Sequence, residues 1–344
     1  MKKIFAIIVC MSMVLGLCGC GDEEKPVQKK TIEVGVTVYD QYDMFIEQLM
    51  ERFSDYGDTV RRSKGVSVNI TTYNAAGSQA TQNEQVKKMC EDEVDVICVN
   101  LVDRTDASTI IEYAEKADIP VVFFNRELVE EDLIRWSKLY YVGAAAGESG
   151  VMEGELAAEY CKDHPEVDKN EDGLIQYVVM EGEAGHQDAI VRTEYSVSTL
   201  EEEGIETEKL GNYIANWDRD QAKTKAAQII EQGDMAEIYL CNNDAMALGV
   251  LDAYDETGMD PEEYPAVFGI DGIQEGLEAV SKDMLKATVY NDKEGQAMAM
   301  MELCVCLVQG GSLNDLPYEV KDGKYIRLPY AKVDKENVEE FYDR

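Results

Sequence analysis

From Thr31 onward, short β-branched apolar runs alternate with longer amphipathic segments, and this alternation constrains the fold more than any other feature. Parallel strands need long crossovers, which are usually helices, so the pattern predicts an α/β chain with helices flanking parallel sheets. Segments such as SQATQNEQVKKMCEDE and DRDQAKTKAAQIIEQ have helical spacing. The predicted strands are IEVGVTV, VSVNITTY, VDVICVN, PVVFFN, LIQYVVM, EIYLCNN, PAVFGID and KATVY.

Several predicted strands end in a polar residue: Asn125, Asn243, Asp271 and Asn291. In open parallel sheets the ligand crevice lies beyond the carboxyl ends of the strands, so these side chains are candidates for one shared site. Such residues also start turns or cap the following helix, and that alternative stays open. The chain has 344 residues, more than one core usually supports, so we expect two α/β lobes.

The N-terminus, MKKIFAIIVCMSMVLGLCGCG, has the basic start, the apolar run and the small residues of a secretory signal. It resembles the bacterial lipobox, which predicts a signal peptide over residues 1–19 and lipidation at Cys20. Cys18 is the less favoured acceptor because Leu17 before it is bulky, and an ordinary cleaved signal is the alternative. Residues 20–30 are polar and charged, so we expect them to form a flexible tether.

The composition is strongly acidic: 32 Lys and Arg stand against 69 Asp and Glu, which gives a net charge of −37. Such a surface repels phosphate backbones, so nucleic acid is a poor partner and a neutral or cationic ligand is favoured. Beyond the tether lie six cysteines, mostly within apolar runs, where free thiols are favoured over disulfides. They are Cys90, Cys98, Cys161, Cys241, Cys304 and Cys306.

The stretch VDKNEDGLIQ, residues 167–176, follows the first nine positions of a calcium-binding EF-hand loop. The candidate oxygen donors are Asp168, Asn170, Asp172, the backbone carbonyl of Leu174, and Gln176. The twelfth position, which normally supplies a bidentate glutamate, is Val179. Either the loop is a solvated turn, or a carboxylate reaches it from elsewhere in the fold.

In order along the chain, VTVYDQYDMF, PVVFFN, VDKNEDGLIQ, GEAGHQDAIVRT, CNNDAMALG, VFGID and TVYND resemble the galactose/glucose-binding members of the type I periplasmic binding protein family. The resemblance runs from about Ile32 to near the C-terminus. It implies a lipid-anchored sugar-binding protein of an ABC transporter, with two lobes joined by a three-segment hinge. It further implies a structural Ca²⁺, with Glu237 supplying the missing carboxylate.

The resemblance also implies a set of sugar contacts. They are Tyr39, Asp43, Phe45, Asn125, His186, Asp188, Arg192, Trp217, Asn243, Asp271 and Asn291. Carboxylates, amides and a guanidinium each engage adjacent hydroxyls in pairs, while Phe45 and Trp217 are expected to sandwich the faces of the sugar ring. We expect Arg192 to keep the neighbouring carboxylates ionised, and His186 to act as a neutral donor. Taken alone, His186 is also compatible with a helix start.

Paired carboxylates beside a sugar also occur in glycoside hydrolases, so catalysis has to be weighed. No apolar pocket that would raise the pKa of one acid is evident around Asp43, Asp188 or Asp271, and a general acid would be hard to maintain. Capture without chemistry is therefore favoured, and the chain is predicted not to be an enzyme. A sugar-responsive repressor would carry an N-terminal helix-turn-helix where this chain has an export signal.

We therefore predict a monomer that captures a monosaccharide, D-glucose or D-galactose, and presents it to an ABC permease from the outer face of the membrane. A sensing component for another monosaccharide is the alternative. The N-terminal lobe is expected over residues 31–142 plus 293–326, and the C-terminal lobe over 143–292 plus 327–344. Crossovers between them are expected near Gly143, near residues 291–293 and near residues 327–329.

Overall fold

The computed structural model describes residues 30–233 and 236–342. The predicted signal peptide, Cys20 and all of the predicted tether except Lys30 lie outside the described residues. Within these two ranges, no helix combines the length and the apolar character needed to cross a bilayer. The six cysteines beyond the tether are free thiols, as the sequence favours, and the sulfur atoms of Cys98 and Cys304 are 3.6 Å apart.

Strands and helices alternate along most of the described chain. The strands are β1 Thr31–Val38, β2 Ser67–Asn74, β3 Val96–Val99, β4 Val121–Phe124, β5 Leu139–Gly143, β6 Ile175–Glu181, β7 Thr207–Ile214, β8 Ile238–Cys241, β9 Ala266–Asp271, β10 Ala287–Asn291, β11 Tyr325–Arg327 and β12 Tyr330–Asp334. The α-helices are α1 Met44–Lys64, α2 Gln79–Glu91, α3 Ser108–Ala117, α4 Glu130–Leu133, α5 Ala146–Asp163, α6 Gln187–Glu202, α7 Arg219–Gln232, α8 Asp244–Asp255, α9 Gln274–Ser281 and α10 Lys293–Val308. Short 3-10 helices lie at Pro165–Val167, Pro261–Glu263, Leu313–Asp315 and Val338–Phe341.

The strands form two six-stranded sheets, in the orders β11-β5-β4-β3-β1-β2 and β12-β10-β9-β8-β6-β7. Neighbouring strands are parallel except for β10 and β12, which pair antiparallel. The predicted α/β class with parallel sheets flanked by helices is therefore confirmed. The two orders match strand for strand, so the molecule contains a structural repeat that the sequence does not reveal.

Each sheet has helices on both faces, because successive strand residues point to opposite sides. In the first sheet, Cys98 packs in the cluster that contains α1 and α10, whereas Ile97 packs in the cluster that contains α2 and α3. In the second sheet, Val178 packs in the cluster of α7 and α8, and Val179 in the cluster of α5 and α6.

The chain passes between the two sheets three times. The first passage follows Gly143 at the end of β5, and the second follows Asn291 at the end of β10. The third runs from Arg327 at the end of β11 to Tyr330 at the start of β12. All three passages leave from carboxyl ends of strands, so they lie on the side of the sheets where ligand sites form.

Candidate ligand-binding site

A cavity lies at the carboxyl ends of strands from both sheets and receives side chains from both. Its lining residues are Tyr39, Asp43, Phe45, Asn125, Arg126, His186, Asp188, Arg192, Trp217, Asn243 and Asp271. They enclose about 350 Å³ of empty space, counting the part that opens to solvent. The cavity gathers every predicted sugar contact except Asn291, and it adds Arg126, which is not among the predicted contacts.

Asp43 is held in place from two sides. Its Oδ1 accepts a hydrogen bond from the backbone N–H of Ile46 at 3.0 Å, which makes it the N-cap of α1. Its Oδ2 accepts a hydrogen bond from the Tyr39 hydroxyl. Burial and the Asp43 carboxylate raise the pKa of Tyr39 well above its usual value, so the hydroxyl stays protonated. Phe45, in the first turn of α1, is only 4% exposed and completes this wall.

Arg126 directly follows Asn125 at the end of β4, and that strand-end position is the sequence signal that could have identified it. Its guanidinium carbon lies 3.4 Å from the centroid of the Tyr39 ring, a cation–π contact. Its Nη2 lies 3.0 Å from Oε2 of Glu183, which belongs to the other sheet's loops. Arg126 therefore contributes a buried positive charge to a cavity that contains three aspartates.

Asn125 has a left-handed backbone with φ of 58°, a conformation that asparagine tolerates better than most residues. Its backbone carbonyl accepts a hydrogen bond from the hydroxyl of Tyr141 at 2.8 Å. Its side-chain Oδ1 accepts one from Nδ2 of Asn100 at 3.1 Å. With Oδ1 so occupied, Nδ2 of Asn125 is the group free to donate to a ligand.

His186 is both a helix start and a cavity residue. Its Nδ1 accepts a hydrogen bond from the backbone N–H of Asp188 at 3.1 Å, so it caps α6. A ring nitrogen that accepts is unprotonated, which assigns the proton to Nε2. That Nε2 is buried without a partner in the described structure. Burial and the charges of Arg126, Arg192 and Arg104 lower the pKa of His186 to about 2, so the ring is a neutral donor.

Arg192 is buried and fixed by three contacts. Nη1 donates to the backbone carbonyl of Asn242 at 2.7 Å, and Nη2 donates to the Tyr330 hydroxyl at 3.3 Å. Nη2 also lies 3.6 Å from Oδ1 of Asp271. Although burial lowers the pKa of Arg192, Tyr330, Asp271 and Asp188 raise it above the usual value, so the guanidinium stays charged.

The expectation that Arg192 keeps all the carboxylates ionised is wrong for Asp271. Burial and the nearby Asp43 raise the pKa of Asp271 to about 7, and Arg192 offsets only part of this effect. Burial raises the pKa of Asp188 as well. The sequence did not show this environment because the residues around Asp271, such as Asp43 and Arg192, come from distant segments.

Trp217 and Asp271 have backbone conformations that are unusual for residues with side chains. Trp217 has φ of 64°, and its carbonyl accepts a hydrogen bond from Nδ2 of Asn243 at 3.2 Å. Asp271 has φ of 121°. The indole packs closely against Gly182, where an added Cβ would come within 2.3 Å of the ring. Strain of this kind persists where surrounding contacts hold it, which is typical of binding sites.

Asn291 lies behind the cavity and is not one of its lining residues. It is 2% exposed, and its Nδ2 donates to Oδ1 of Asp271 at a long 3.5 Å. Its Oδ1 accepts a hydrogen bond from Nε2 of Gln296 at 2.6 Å. In this structure Asn291 contacts the cavity through Asp271.

The loop over residues 167–176 lies at the opposite end of the second sheet, before β6. Glu237 reaches it from the start of β8: its Oε1 accepts from the backbone N–H of Lys169 at 2.6 Å and its Oε2 from that of Gln176 at 3.1 Å. Within the loop, Asp168 accepts from the backbone N–H of Gly173 at 2.9 Å. No group of three or more His, Cys, Asp or Glu side chains suited to a metal ion occurs among the described residues.

Two observations bear on whether a hard cation fits this loop. Asp168, Asp172 and Glu237 supply carboxylates, and Asn170 and Gln176 supply amide oxygens, which are the donors that Ca²⁺ prefers. Nδ2 of Asn170 contacts Oδ2 of Asp172 at 3.0 Å and Oε1 of Gln176 at 3.1 Å, so these three side chains already converge. The donor types therefore fit a calcium ion, with Glu237 beside the loop instead of a residue at its twelfth position, but the three carboxylates do not form a metal-binding group as the described residues are placed.

The chain matches a known protein family over most of its length. The family model for a periplasmic binding protein domain matches residues 34–312. The D-galactose/methyl-galactoside binding periplasmic protein of Haemophilus influenzae is 37% identical over 312 residues, covering 90% of this chain and 91% of the relative. A xylitol-binding protein of Mycolicibacterium smegmatis is 27% identical, covering 93% of this chain and 84% of the relative.

Solved structures share the fold. An ABC transporter solute binding protein from Bacillus halodurans with bound myo-inositol superposes with a TM-score of 0.75 at 24% identity, covering 92% of this chain and 99% of that one. A periplasmic solute binding protein from Actinobacillus succinogenes with bound D-allose has a TM-score of 0.75 at 19% identity, covering 90% and 99%. At these identities the likeness establishes the architecture alone.

Proposed function

This chain belongs to the periplasmic binding protein domain family and is a substrate-binding protein, not an enzyme, and from that premise we propose that it captures a monosaccharide. The proposed ligands are D-galactose and D-glucose, which the chain delivers to an ABC permease. The observation that carries this proposal is the cavity itself. A neutral imidazole donor, two amides, two buried guanidinium groups, three carboxylate side chains and three further aromatic residues line one space between two sheets.

This set of groups suits a neutral sugar. A pyranose hydroxyl both donates and accepts, so Asp43, Asp188 and Asp271 can accept from hydroxyls while Nε2 of His186 and Nδ2 of Asn125 donate to oxygens. The aromatic faces of Phe45 and Trp217 suit the C–H faces of the ring. The three aspartates and two arginines of the wall leave little excess charge, which favours an uncharged ligand.

The relatives support a polyhydroxylated ligand. One is named for D-galactose and methyl-galactoside and another for xylitol, and solved structures of the same fold hold myo-inositol or D-allose. Galactose and glucose differ at one hydroxyl, and a carboxylate can accept from it in either orientation. A sensing role for another monosaccharide is the second candidate, which the range of ligands among the structural neighbours supports.

We further propose that the loop over residues 167–176 binds Ca²⁺ through Asp168, Asn170, Asp172, Leu174, Gln176 and Glu237. The support is the position of Glu237 beside the loop and the hard oxygen donors around it. A bound cation would tie β8 to the segment that precedes β6. Its role would be the stability of the C-terminal lobe, because the loop lies at the end of the sheet remote from the cavity.

The remaining proposals concern anchoring and closure. Lipidation at Cys20 would hold a monomer of the binding protein on the outer face of the membrane. The three passages between the sheets would form the hinge, and a sugar that contacts both lobes would favour the closed state. Metabolic labelling with palmitate tests the anchor: the label should disappear in Cys20→Ala, and labelling that persists would move the anchor to Cys18.

A thermal-shift screen over monosaccharides tests the proposed ligand. A ligand at about 100 times its Kd adds about 2.7 kcal/mol to the unfolding free energy, so galactose or glucose should raise the Tm clearly. Asp271→Ala should abolish the shift, whereas Asp255→Ala, an exposed site on α8, should keep it. A shift with another monosaccharide alone would favour the second candidate, and no shift with any sugar would contradict the proposal.

A further inference from the structure

A buried asparagine directly follows the equivalent strand in each of the two sheets. Asn100 follows β3 and Asn242 follows β8, and each of these strands pairs with the first strand of its sheet, β1 or β6. Both asparagines are fully buried. Neither lines the cavity.

Each asparagine extends the hydrogen bonding between its strand and the first strand of the sheet by one residue. The backbone N–H of Asn100 donates to the carbonyl of Thr37 at 2.9 Å, and its side-chain Oδ1 accepts from the backbone N–H of Tyr39 at 3.3 Å. In the second sheet, the N–H of Asn242 donates to the carbonyl of Met180 at 3.0 Å, and its Oδ1 accepts from the N–H of Gly182 at 3.1 Å. Each side chain thus fixes the turn that leads into its wall of the cavity.

In the first sheet, the other end of the amide reaches a cavity residue. Nδ2 of Asn100 donates to the carbonyl of Phe124 at 3.2 Å and to Oδ1 of Asn125 at 3.1 Å. The second contact decides which way the Asn125 amide faces, because Oδ1 is held toward the protein and Nδ2 is left for a ligand. Gln82 restrains Asn100 in turn: its Nε2 donates to the backbone carbonyl of Asn100, and its Oε1 accepts from the backbone N–H of Val102. Asn100 therefore has little freedom to move.

In the second sheet, Asn242 holds two parts of the opposite wall. Its backbone carbonyl, which Asn242→Ala would keep, accepts the hydrogen bond from Nη1 of Arg192 at 2.7 Å, and its side-chain Nδ2 donates to Oγ1 of Thr193 at 3.1 Å. Its bond to Gly182 fixes the backbone against which the Trp217 ring lies. The Asn242 side chain, which does not face the cavity, therefore supports the Gly182 backbone under the indole and holds Thr193, the neighbour of Arg192 in α6.

We propose that Asn100 and Asn242 are a matched pair of positioning residues that preset the two walls of the cavity for the sugar. The Asn100 side chain sets the donor face of Asn125 and the Tyr39 turn. The Asn242 side chain sets the surface under Trp217 and, through Thr193, the part of α6 that carries Arg192. The inference rests on the proposed function. Preorganised walls raise affinity because less ordering remains to be done on binding.

Titration calorimetry with D-galactose and D-glucose tests the pair. Asn100→Ala and Asn242→Ala should each weaken the binding of the better sugar at least about tenfold, the loss expected when a buried polar partner is removed. Asn69→Ala on β2 and Asn212→Ala on β7, both exposed asparagines at equivalent strands, should keep wild-type affinity. Affinities of Asn100→Ala and Asn242→Ala equal to the wild type would overturn the inference.

A double-mutant cycle separates positioning from a general loss of structure. In the Asn125→Ala background, Asn100→Ala should cost only about twofold further, because the donor that it orients is already gone. Asn242→Ala should likewise cost little in the Trp217→Ala background. If the fold-loss of sugar affinity in each double variant equals the product of the two single losses, neither asparagine acts through its cavity partner.

Two further outcomes are informative. If Asn100→Ala does not fold, Asn100→Asp is tested in its place. The aspartate oxygen can still accept from the backbone N–H of Tyr39, but the side chain no longer has the amide group that donates to Asn125. Asn100→Asp should weaken binding as well, and an unchanged affinity would again contradict the pair. If the wild type itself shows no heat with either sugar, the proposed function fails and the inference falls with it, which distinguishes the two failures.

Discussion

Three cavity residues, Asp43, His186 and Asn243, each cap a helix while lining the cavity. One side-chain atom of each residue accepts the capping hydrogen bond, and this bond fixes the direction in which the rest of the side chain faces the cavity. For His186 the cap also determines the tautomer, because Nδ1 accepts and Nε2 must donate. Helix capping and ligand contact, which are alternatives at the sequence level, are therefore compatible at the same residue.

At Asp271, the raised pKa predicts a pH-dependent affinity. The carboxylate must be ionised to accept from sugar hydroxyls, and burial raises its pKa to about 7, so protonation competes with binding at lower pH. Affinity should therefore be about tenfold weaker at pH 6 than at pH 8. Asp188 shifts in the same direction, whereas His186, with a pKa of about 2, does not titrate in this range.

Calorimetric titrations of galactose and glucose at several pH values check this expectation. Asp271→Asn serves as the matched variant, since the amide cannot ionise. It should bind more weakly and show a flatter pH profile. A wild-type affinity that does not change between pH 6 and pH 8 would show that Asp271 is ionised throughout.

At the scale of the elements, the sequence identified eight of the twelve strands in the described residues and missed β5, β7, β11 and β12. β5 was missed although it is buried along its whole length. β7 is an edge strand with alternating exposed residues and polar side chains, so its apolar content is low. β11 and β12 have three and five residues and lie beside the third passage between the sheets. Short or half-exposed strands carry a weak pattern, because neighbours in space stabilise them more than their own composition does.

The loop before β6 gives a prediction about stability. If it binds Ca²⁺, addition of a chelator should lower the Tm of the wild type by several degrees, because a cation bound only by the folded state stabilises it. Glu237→Gln should respond much less, since it removes a charged donor while keeping its size. Differential scanning calorimetry in the presence and absence of chelator measures both.

Glu206→Gln, at an exposed site just before β7, is the matched control and should respond like the wild type. Equal responses of the wild type and Glu237→Gln would exclude Glu237 as the closing ligand. A wild type that does not respond to chelation or to added Ca²⁺ would make the loop a structural turn only.

For the whole molecule, contacts across the cleft describe a closed arrangement. Arg126 pairs with Glu183 across the cavity mouth at 3.0 Å. Between α1 and α9, Oε1 of Gln48 accepts from the backbone N–H of Gln274 at 3.2 Å, and Nε2 of Gln48 donates to Oε2 of Glu275 at 3.2 Å. These polar contacts lie outside the hinge, and they are few enough to form when a ligand binds and to break when it leaves.

Removing one cross-cleft pair should open the sugar-free molecule. Glu183 is 44% exposed, so its bond to Arg126 is worth about 1 kcal/mol or less, enough to change the ratio of closed to open forms by up to about fivefold. Small-angle scattering should therefore give a larger radius of gyration for sugar-free Glu183→Gln than for the wild type. With saturating sugar the two should agree, and identical sugar-free radii would contradict a role of this pair in closure.

The sequence indicated most of the cavity, because its residues occupy strand ends in an order that resembles a known family. Arg126 was missed although it directly follows Asn125, and Asn291 was expected in the cavity but lies behind Asp271. Neither the burial that raises the pKa of Asp271 nor the hydrogen bonds of Asn100 and Asn242 could be inferred from the sequence. Such properties depend on which distant segments pack together, and strand patterns do not contain that information.

The central claim is that side chains from two lobes hold one unmodified hexose. Titration calorimetry of the purified protein with D-galactose and with D-glucose, followed by chromatography of the recovered sugar, tests it most directly. We predict a binding heat that saturates at one sugar per chain, and recovery of the sugar unchanged. The absence of heat with every simple hexose, or cleavage of a methyl-galactoside offered in its place, would contradict the account.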